Sequence, residues 1–241
     1  MGKTVILISS KGGSGKSTVA VGLATAFSRE HKRVLLFDAD EGARCLDYML
    51  KGNAYTVFDL SDVLNGNAEV DNVKLKVPTL ENVWVIPSPL SGEPIDLAAL
   101  GKLTESIKND YDIIIVDTKG QLPADRLKGL PKTAMFISVV TTDRVAVRNT
   151  GVLNTALAEQ GIAPQLIINR FKAKGSAGRY IGIDGIIDTS AAQLLGIIPE
   201  DDSIGSANGP ILLGTAAAAI FRIASRIEGH SVPLPDIKRI L

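Results

Sequence analysis

Residues 4–18 read TVILISSKGGSGKST, an apolar run that passes directly into a glycine-rich loop with two lysines. A short β-branched run, then glycines, then a segment of helical period predicts a buried strand, a loop and a helix. Glycines let backbone amides turn inward onto phosphate oxygens, and the start of a helix adds the positive end of its dipole. The stretch therefore predicts a phosphate-binding loop at one edge of an α/β sheet.

Each side chain of this loop has a predicted task. Lys16 reaches the outer phosphates of a nucleotide, Ser17 ligates Mg²⁺ through its hydroxyl, and Thr18 donates to the α-phosphate. A dinucleotide-binding pattern fails here, because Thr18 stands where its last glycine belongs. The alternative is a glycine-rich turn that binds no ligand. The predicted phosphate-binding residues are Gly12, Gly13, Ser14, Gly15, Lys16, Ser17 and Thr18.

The alternation of apolar runs and helical segments continues along the whole chain. Uninterrupted apolar runs are typical of strands buried on both faces of a parallel sheet. This predicts a doubly wound, mostly parallel α/β sheet with helices on both faces, in one domain at residues 1–229 followed by a tail at 230–241. Strands are predicted at 4–9, 33–38, 83–87, 112–117, 134–140, 164–169 and 195–199, and the main helices at 17–30, 96–109, 147–160 and 214–227.

Charge, cysteine content and apolar run length exclude several classes of protein. Lys and Arg together number 26, as do Asp and Glu, so no global basic field favours nucleic acid. The single cysteine, Cys45, excludes a disulfide framework and a metal site of several thiolates, and fits a reducing cytoplasmic compartment. We interpret it as a small buried hydrophobe. The longest uncharged run, 203–221, is interrupted by glycines and a proline, so we expect no transmembrane helix.

A second lysine, Lys11, makes the loop more specific than an ordinary phosphate loop. The pattern K-G-G-x-G-K-[ST] resembles the deviant Walker A ATPases of the MinD/ParA family, although Ser10 stands where the ordinary pattern has glycine. Further segments resemble MinD, and the first of them also its flagellar relative FlhG: 35–50, 57–72, 80–92 and 194–212. The resemblance covers about residues 3–228 and implies the phosphate-loop NTPase fold of this family.

The resemblance assigns catalytic roles to three side chains. It implies that Lys11 crosses a two-fold interface to touch phosphate in the partner subunit, so that ATP itself joins a homodimer. It also implies that Asp40 orients the attacking water, while Lys16 holds the outer phosphates. The alternative for Lys11 is a loop lysine that adds charge to its own site.

Carboxylates follow two of the predicted strands. Asp38 and Asp40 close the second strand at its carboxyl end, where a doubly wound sheet holds its ligand. Asp117 ends the run DIIIVD, the Walker B arrangement in which a carboxylate holds Mg²⁺ directly or through water. We assign Asp38 to support of the Mg²⁺ shell, so the predicted metal set is Ser17, Asp38 and Asp117. The alternative for each aspartate is a helix N-cap or a turn residue.

The resemblance also supplies a base-binding set. Asn169 ends the sixth predicted strand and matches the asparagine that reads adenine in the family, since an amide both donates and accepts. The loop around 199–201 would close on the base. The predicted base-binding residues are Asn169, Arg170, Pro199, Glu200 and Asp201.

These features predict an Mg²⁺-dependent ATPase of the MinD type, a nucleotide switch that positions cell division or a related cell-surface structure. Its ligands would be ATP or ADP with Mg²⁺, and its partners a second copy of the chain in the ATP state and regulatory proteins. Two alternatives stay open: a ParA-like ATPase that partitions DNA or cargo, and a switch with little hydrolysis. Metal-insertion relatives are disfavoured, because they generally use paired cysteines.

One departure bears on hydrolysis. After the Walker B aspartate the family usually has a Thr/Ser-Pro-x-Gly-like switch, whereas residues 117–121 read DTKGQ. We therefore expect the segment that senses the γ-phosphate to differ from that of the family, which affects hydrolysis and not nucleotide binding. We interpret Lys119 as a solvated loop lysine.

The last eight residues, LPDIKRIL, bear on the working surface. A helix over them would put Leu234, Ile237, Ile240 and Leu241 on one face, as in an amphipathic membrane-targeting segment. Such a helix is short, so a C-terminal segment packed on the core is the equal alternative. The first reading predicts a cytoplasmic protein that cycles to the inner face of the cell membrane, and DNA as working surface is disfavoured for want of a basic patch.

Overall fold

The computed structural model describes residues 2–50, 56–90, 94–172, 182–205, 209 and 213–234. These residues contain eight strands: β1 Lys3–Ile8, β2 Val34–Ala39, β3 Leu75–Lys76, β4 Val83–Ile86, β5 Ile113–Thr118, β6 Met135–Val140, β7 Gln165–Phe171 and β8 Gln193–Pro199. The strands form one sheet with the order β3-β4-β2-β5-β1-β6-β7-β8. Every neighbouring pair is parallel except β3 with β4, which confirms the predicted doubly wound α/β class.

Helices cover both faces of this sheet. The described helices are α1 Lys16–Arg29, α2 Cys45–Met49, α3 Leu60–Leu64, α4 Val70–Val73, α5 Leu97–Ile107, α6 Ala124–Leu127, α7 Arg144–Ala158, α8 Ile183–Ser190, α9 Asp202–Gly205 and α10 Thr215–Glu228. The four long ones, α1, α5, α7 and α10, correspond to the four predicted from helical period.

Two hydrophobic layers explain why the strand sequences are apolar without interruption. Val5 and Leu7 of β1 pack into a layer with α1 and α10. The alternate residues Ile6 and Ile8 pack into the opposite layer with α5. Because successive side chains of a strand point to opposite faces, a strand covered on both faces favours apolar residues at consecutive positions. Burial of each such side chain contributes roughly 1.5–3 kcal/mol.

The central position of β1 decides where ligand-binding residues meet. β1 lies between β5 and β6, and β5 lies between β1 and β2. In register, Asp117 on β5 stands beside Leu7 of β1 and Asp38 of β2. The loop after β1 therefore lies at the same edge of the sheet as the aspartates, although more than 60 residues separate Asp38 from Asp117 along the chain.

The structure differs from the sequence-based expectation at its small elements. All seven predicted strands are present, with ends that differ by no more than two residues. The two-residue strand β3 was not predicted, since its two residues carry no periodic pattern. α7 begins at Arg144 and not at 147, because Asp143 caps it by accepting a hydrogen bond from the amide of Ala146. Of the predicted amphipathic segment 234–241, residues 235–241 lie outside the described residues, so its structure is not tested.

Candidate functional site

The phosphate loop joins β1 to α1 as predicted, and its backbone is specific to glycine. Gly15 is the N-cap of α1 with φ of 89°, in the left-handed region, and no side chain caps the helix there. A Cβ atom on Gly15 would lie 2.3 Å from Nδ2 of Asn169. The first turn of α1 carries no acidic residue either. The amides at this helix start are thus available to an anion.

Lys16 points into the site and not to solvent. Its residue is 6% exposed, and its Nζ donates to Oγ of Ser9 at 3.1 Å. The Ser9 hydroxyl in turn donates to the backbone carbonyl of Lys11 at 2.9 Å, so the ammonium is fixed on the inner side of the loop. The Oγ of Ser14 is also buried, and no hydrogen-bond partner lies within reach in the described structure. A buried ammonium and an unsatisfied hydroxyl in one loop fit an anionic ligand.

Asp117 is a buried carboxylate without a hydrogen-bond partner among the described residues. It is 1% exposed, and neither carboxylate oxygen accepts a hydrogen bond of ordinary geometry within the described residues. Burial raises its pKa to about 7, although the neighbouring Lys16 ammonium and Ser17 hydroxyl act to lower it. An unpaired carboxylate removed from water is unfavourable unless a cation approaches it. Asp117 and Ser17 both offer the oxygen ligands that Mg²⁺ prefers, so these residues fit the predicted metal.

Asp38 has a different environment from Asp117. It is fully buried, but one oxygen accepts from the amide of Asp40 at 3.2 Å and the other from the amide of Leu46 at 2.9 Å. Burial raises its pKa to about 6 against these two hydrogen bonds. Asp38 therefore holds the turn that carries Asp40, which is the turn role left open by the sequence. Its support of an Mg²⁺ shell stays a prediction.

Asp40 lies half-buried beside charged groups of both signs. Burial raises its pKa, Lys16 and Lys119 lower it, and Glu41 raises it further. Lys119 is not simply solvated: its Nζ lies 3.4 Å from Oε1 of Glu41, with 46% of its side chain exposed. Asp40 thus lies near enough to Lys16 for the two charges to interact, and its role in orienting water stays a prediction.

The loop after β5 packs directly on the phosphate loop. A Cβ atom on Gly120 would lie 3.2 Å from both the Cα and the N atom of Gly12. The amide of Gln121, whose φ is 67°, donates to the carbonyl of Ser9 at 2.9 Å. The segment that follows the Walker B aspartate therefore touches the phosphate loop through its backbone.

The side chain of Lys11 points away from the phosphate loop, toward the start of α7. Its Nζ is 3.5 Å from Oδ1 of Asp143, and 52% of its side chain is exposed. Next to it, Oγ of Ser10 donates to the carbonyl of Ala146 at 3.0 Å and lies 2.9 Å from Oγ1 of Thr150. Both residues thus link the phosphate loop to the start of α7. The predicted contact of Lys11 with a partner subunit stays a prediction.

Among the predicted base-binding residues, Asn169 contacts the phosphate loop. Nδ2 of Asn169 donates to the carbonyl of Ser14 at 2.8 Å, so this residue supports the loop itself. Arg170 is exposed, with φ of 52°, and Glu200 forms an ion pair with Lys172 at 3.2 Å. Pro199 ends β8, in register with Phe171.

Asp201 of this set has structural partners. Its carboxylate accepts from the hydroxyls of Ser203 and Thr215 and from the amide of Ala216, and these bonds lower its pKa to about 2. It therefore joins the start of α10 to the residues that follow β8. Contact of any of these residues with a base stays a prediction.

The sequence did not single out Ser9, Glu41 or Asp143. Asp143 carries a local signal, because an aspartate directly before a helical segment is typical of an N-cap. Ser9 and Glu41 carry no such signal, since their partners Lys16 and Lys119 belong to other elements. Cys45, predicted from the sequence to be a buried hydrophobe, is only half-buried. Burial nevertheless raises the pKa of its thiol, which disfavours the reactive thiolate. Among the described helices, none has the length and apolar character that crossing a bilayer requires.

Comparison with known proteins agrees with this geometry. The model of the CobQ/CobB/MinD/ParA nucleotide binding domain matches residues 5–209. The septum site-determining protein MinD of Synechocystis sp. is 30% identical over 247 residues, covering 98% of this chain and 93% of that protein. The MinC:MinD cell division protein complex of Aquifex aeolicus gives a TM-score of 0.84 at 29% identity, covering 97% of this chain and 99% of that chain. MinD of Pyrococcus horikoshii, complexed with Mg-ADP, gives 0.80 at 25% identity, covering 95% and 96%.

Proposed function

Because the chain belongs to the CobQ/CobB/MinD/ParA family of nucleotide-binding domains, we propose that it is a MinD-type ATPase. It dimerises on ATP and acts as a nucleotide switch in positioning cell division or a related cell-surface structure. The observation that carries this proposal is the buried, unpaired carboxylate of Asp117 beside Lys16 and Ser17. A cation would stabilise this carboxylate at the place where the phosphate loop offers an anion site, and Mg-ADP, the ligand of the Pyrococcus horikoshii relative, contains both ions.

The residues of the site divide the work between binding and hydrolysis. The amides of the phosphate loop and Lys16 bind the phosphates of ATP, while Ser17 and Asp117 hold Mg²⁺. When bound, Mg²⁺ neutralises charge that develops on the phosphate oxygens during transfer. Asp40 orients the attacking water, and the turn that Asp38 holds through two amides keeps Asp40 in place.

Lys11 acts across the dimer interface in this proposal. Its ion pair with Asp143 is half-exposed, and exposed pairs of this kind contribute only about 0–1 kcal/mol. Lys11 can therefore leave Asp143 at little cost when a second subunit presents phosphate. A lysine that served its own nucleotide would be expected on the inner side of the loop, where Lys16 lies.

The amphipathic pattern of residues 234–241 supports a proposal for the surface to which the ATPase binds. We propose that the ATP-bound dimer binds the inner face of the cell membrane through residues 234–241, and that the monomer is cytoplasmic. Two short tails in one dimer bind a membrane more strongly than either alone, which couples membrane contact to ATP. Since the Aquifex aeolicus relative forms a MinC:MinD complex, a regulatory protein partner is part of the proposal.

Sedimentation of the full chain with anionic liposomes, and in parallel with duplex DNA, tests this function. We expect pelleting with liposomes in Mg-ATP and not in Mg-ADP, and no pelleting with DNA. Deletion of residues 234–241 should abolish pelleting and leave ATP affinity within about twofold, because the phosphate loop is untouched. Lys16→Ala is the matched control: it keeps the tail but loses the ammonium in the loop, so it should bind neither ATP nor liposomes.

Each outcome bears on a different part of the proposal. If Lys16→Ala binds ATP like the wild type, the phosphate loop is wrongly assigned. If the full chain pellets with DNA in ATP and never with liposomes, the chain is a partitioning ATPase of the ParA type. Phosphate release measured on the same samples shows whether the wild type hydrolyses ATP at all.

A further inference from the structure

Lys119, the residue that departs from the family pattern, contacts both neighbours of Asp40. Its backbone amide donates to the carbonyl of Ala39 at 3.2 Å. Its Nζ lies 3.4 Å from Oε1 of Glu41. One residue of the loop after β5 thus holds the residue before Asp40 and the residue after it.

The remaining backbone contacts of Asp40 complete a closed turn. Its amide donates to Asp38, and its carbonyl accepts from Oγ of Ser88 at 3.2 Å. The amide of Ala43 also donates to that carbonyl at 3.1 Å. Asp40 therefore sits on a backbone held from β2 and from the segment after β4, and Lys119 adds the contact from β5.

In the ion pair between Lys119 and Glu41, the carboxylate is buried and the lysine is half-exposed. The Glu41 side chain is 8% exposed, whereas that of Lys119 is 46% exposed. A carboxylate so far removed from water needs a charged partner, and loss of that partner is more destabilising than loss of an exposed pair. Glu41 without Lys119 would be expected to turn toward solvent and to carry the adjacent Asp40 with it.

We propose that Lys119 is a positioning residue for Asp40, which fixes the turn at residues 39–41 by pairing with Glu41 and so sets the rate of ATP hydrolysis without setting ATP affinity. This inference rests on the proposed ATPase function.

The backbone of this loop explains why binding and rate should separate. Gly120 and Gln121, which touch the phosphate loop, do so through backbone atoms. Replacement of the Lys119 side chain leaves those contacts in place. The phosphate loop should keep its shape, and only the turn that carries Asp40 should loosen.

Steady-state ATP hydrolysis by the full chain with Mg²⁺ tests the inference. We expect Lys119→Met, which keeps length and loses charge, to lower kcat about tenfold with KM changed less than about twofold. Lys119→Arg should restore kcat to within about threefold, because it keeps the charge. Glu41→Gln should lower kcat like Lys119→Met, and the double variant should be no slower than either single one, since the two side chains act as a pair.

A matched control separates this effect from general loss of a surface charge. The Lys128 side chain is similarly exposed, and its Nζ lies 2.6 Å from Oδ1 of Asp125 on α6, outside the site. Lys128→Met should therefore leave kcat and KM unchanged. Melting temperatures of all variants show whether each is folded, and Lys119→Arg and Glu41→Gln carry the test if Lys119→Met is not.

Three results with the variants would overturn the inference and leave the proposed function intact. Wild-type kcat in Lys119→Met excludes a positioning role. A KM about tenfold higher at unchanged kcat would make Lys119 a phosphate ligand instead. Additive losses in the double variant would exclude action through Glu41. A wild-type chain that hydrolyses no ATP would overturn the proposed function and this inference together, whereas normal wild-type turnover with any of these three results overturns the inference alone.

Discussion

Asp117 and Lys16 show how single residues of this site are held in unfavourable surroundings by a stable sheet. Asp117 is buried at the end of β5 without an ordinary hydrogen bond, and Lys16 is buried with the Ser9 hydroxyl as its partner. Neither arrangement favours folding, because a buried charge without full pairing opposes it. The hydrophobic layers on both faces of the sheet offset this. The site is preorganised for ligand at the expense of stability in the ligand-free chain.

The raised pKa of Asp117 predicts how the stability of the fold changes with pH. Its folded-state pKa of about 7 lies above the ordinary 3.8, so the carboxyl stabilises the fold below about pH 4 and loses that contribution as pH rises through 7. Asp117→Asn removes the titration at constant shape. Without nucleotide and Mg²⁺, we expect the variant to melt about 2 °C or more above the wild type at pH 8, with the difference much reduced at pH 5.

Melting curves in metal-free buffer between pH 5 and 8 measure this difference. Asp38, whose pKa is also raised, titrates in both proteins and so largely cancels in the comparison. Asp125→Asn, at an exposed carboxylate on α6, is the control and should show no pH-dependent difference. An Asp117→Asn variant that melts at or below the wild type at pH 8 would contradict a buried, unpaired carboxylate.

At the scale of elements, α7 is coupled to the phosphate loop by two side chains. Ser10 bonds to the Ala146 carbonyl and Thr150 hydroxyl, and Lys11 pairs with Asp143. Thr150 is fully buried, so its hydroxyl depends on Ser10. We therefore expect any movement of the phosphate loop on binding nucleotide to reach the first turns of α7.

Ser10→Ala tests this coupling. It should lower stability by about 1 kcal/mol, or roughly 2–4 °C in melting temperature, since Thr150 is left without its partner. Hydrogen exchange should quicken at residues 144–150 and not in α5 or α10. Ser106→Ala, which removes an exposed hydroxyl from α5, is the matched control. Unchanged exchange at the start of α7 would contradict the coupling.

How far these elements could be predicted depends on how local their causes are. The central strands follow from apolar runs, and the phosphate loop follows from glycines within one short segment, so both were predicted. The two-residue β3 is fixed by its pairing with β4, which no local pattern reveals. The Lys119 contact with Glu41 and the Lys11 contact with Asp143 join residues 78 and 132 positions apart. Such contacts depend on the order of strands in the sheet, which the sequence does not state.

At the scale of the whole molecule, the two lysines of the phosphate loop divide into one that faces inward and one that faces outward. Lys16 is buried inside the loop, and Lys11 is half-exposed at its rim. This division is expected if Lys16 serves the nucleotide of its own subunit and Lys11 that of a partner. We therefore infer that ATP joins two copies of this chain through Lys11.

Light scattering of the wild type, Lys11→Ala and Asp40→Ala, in Mg-ATP and then in Mg-ADP, tests that claim most directly. The wild type should be dimeric in ATP and monomeric in ADP. Lys11→Ala should bind ATP through Lys16 and the loop amides, yet stay monomeric and hydrolyse nothing measurable. Asp40→Ala, without its water-orienting carboxylate, should bind ATP at least as well as the wild type and accumulate as a long-lived dimer. A Lys11→Ala variant that dimerises normally in ATP would contradict the crossing lysine and the account that depends on it.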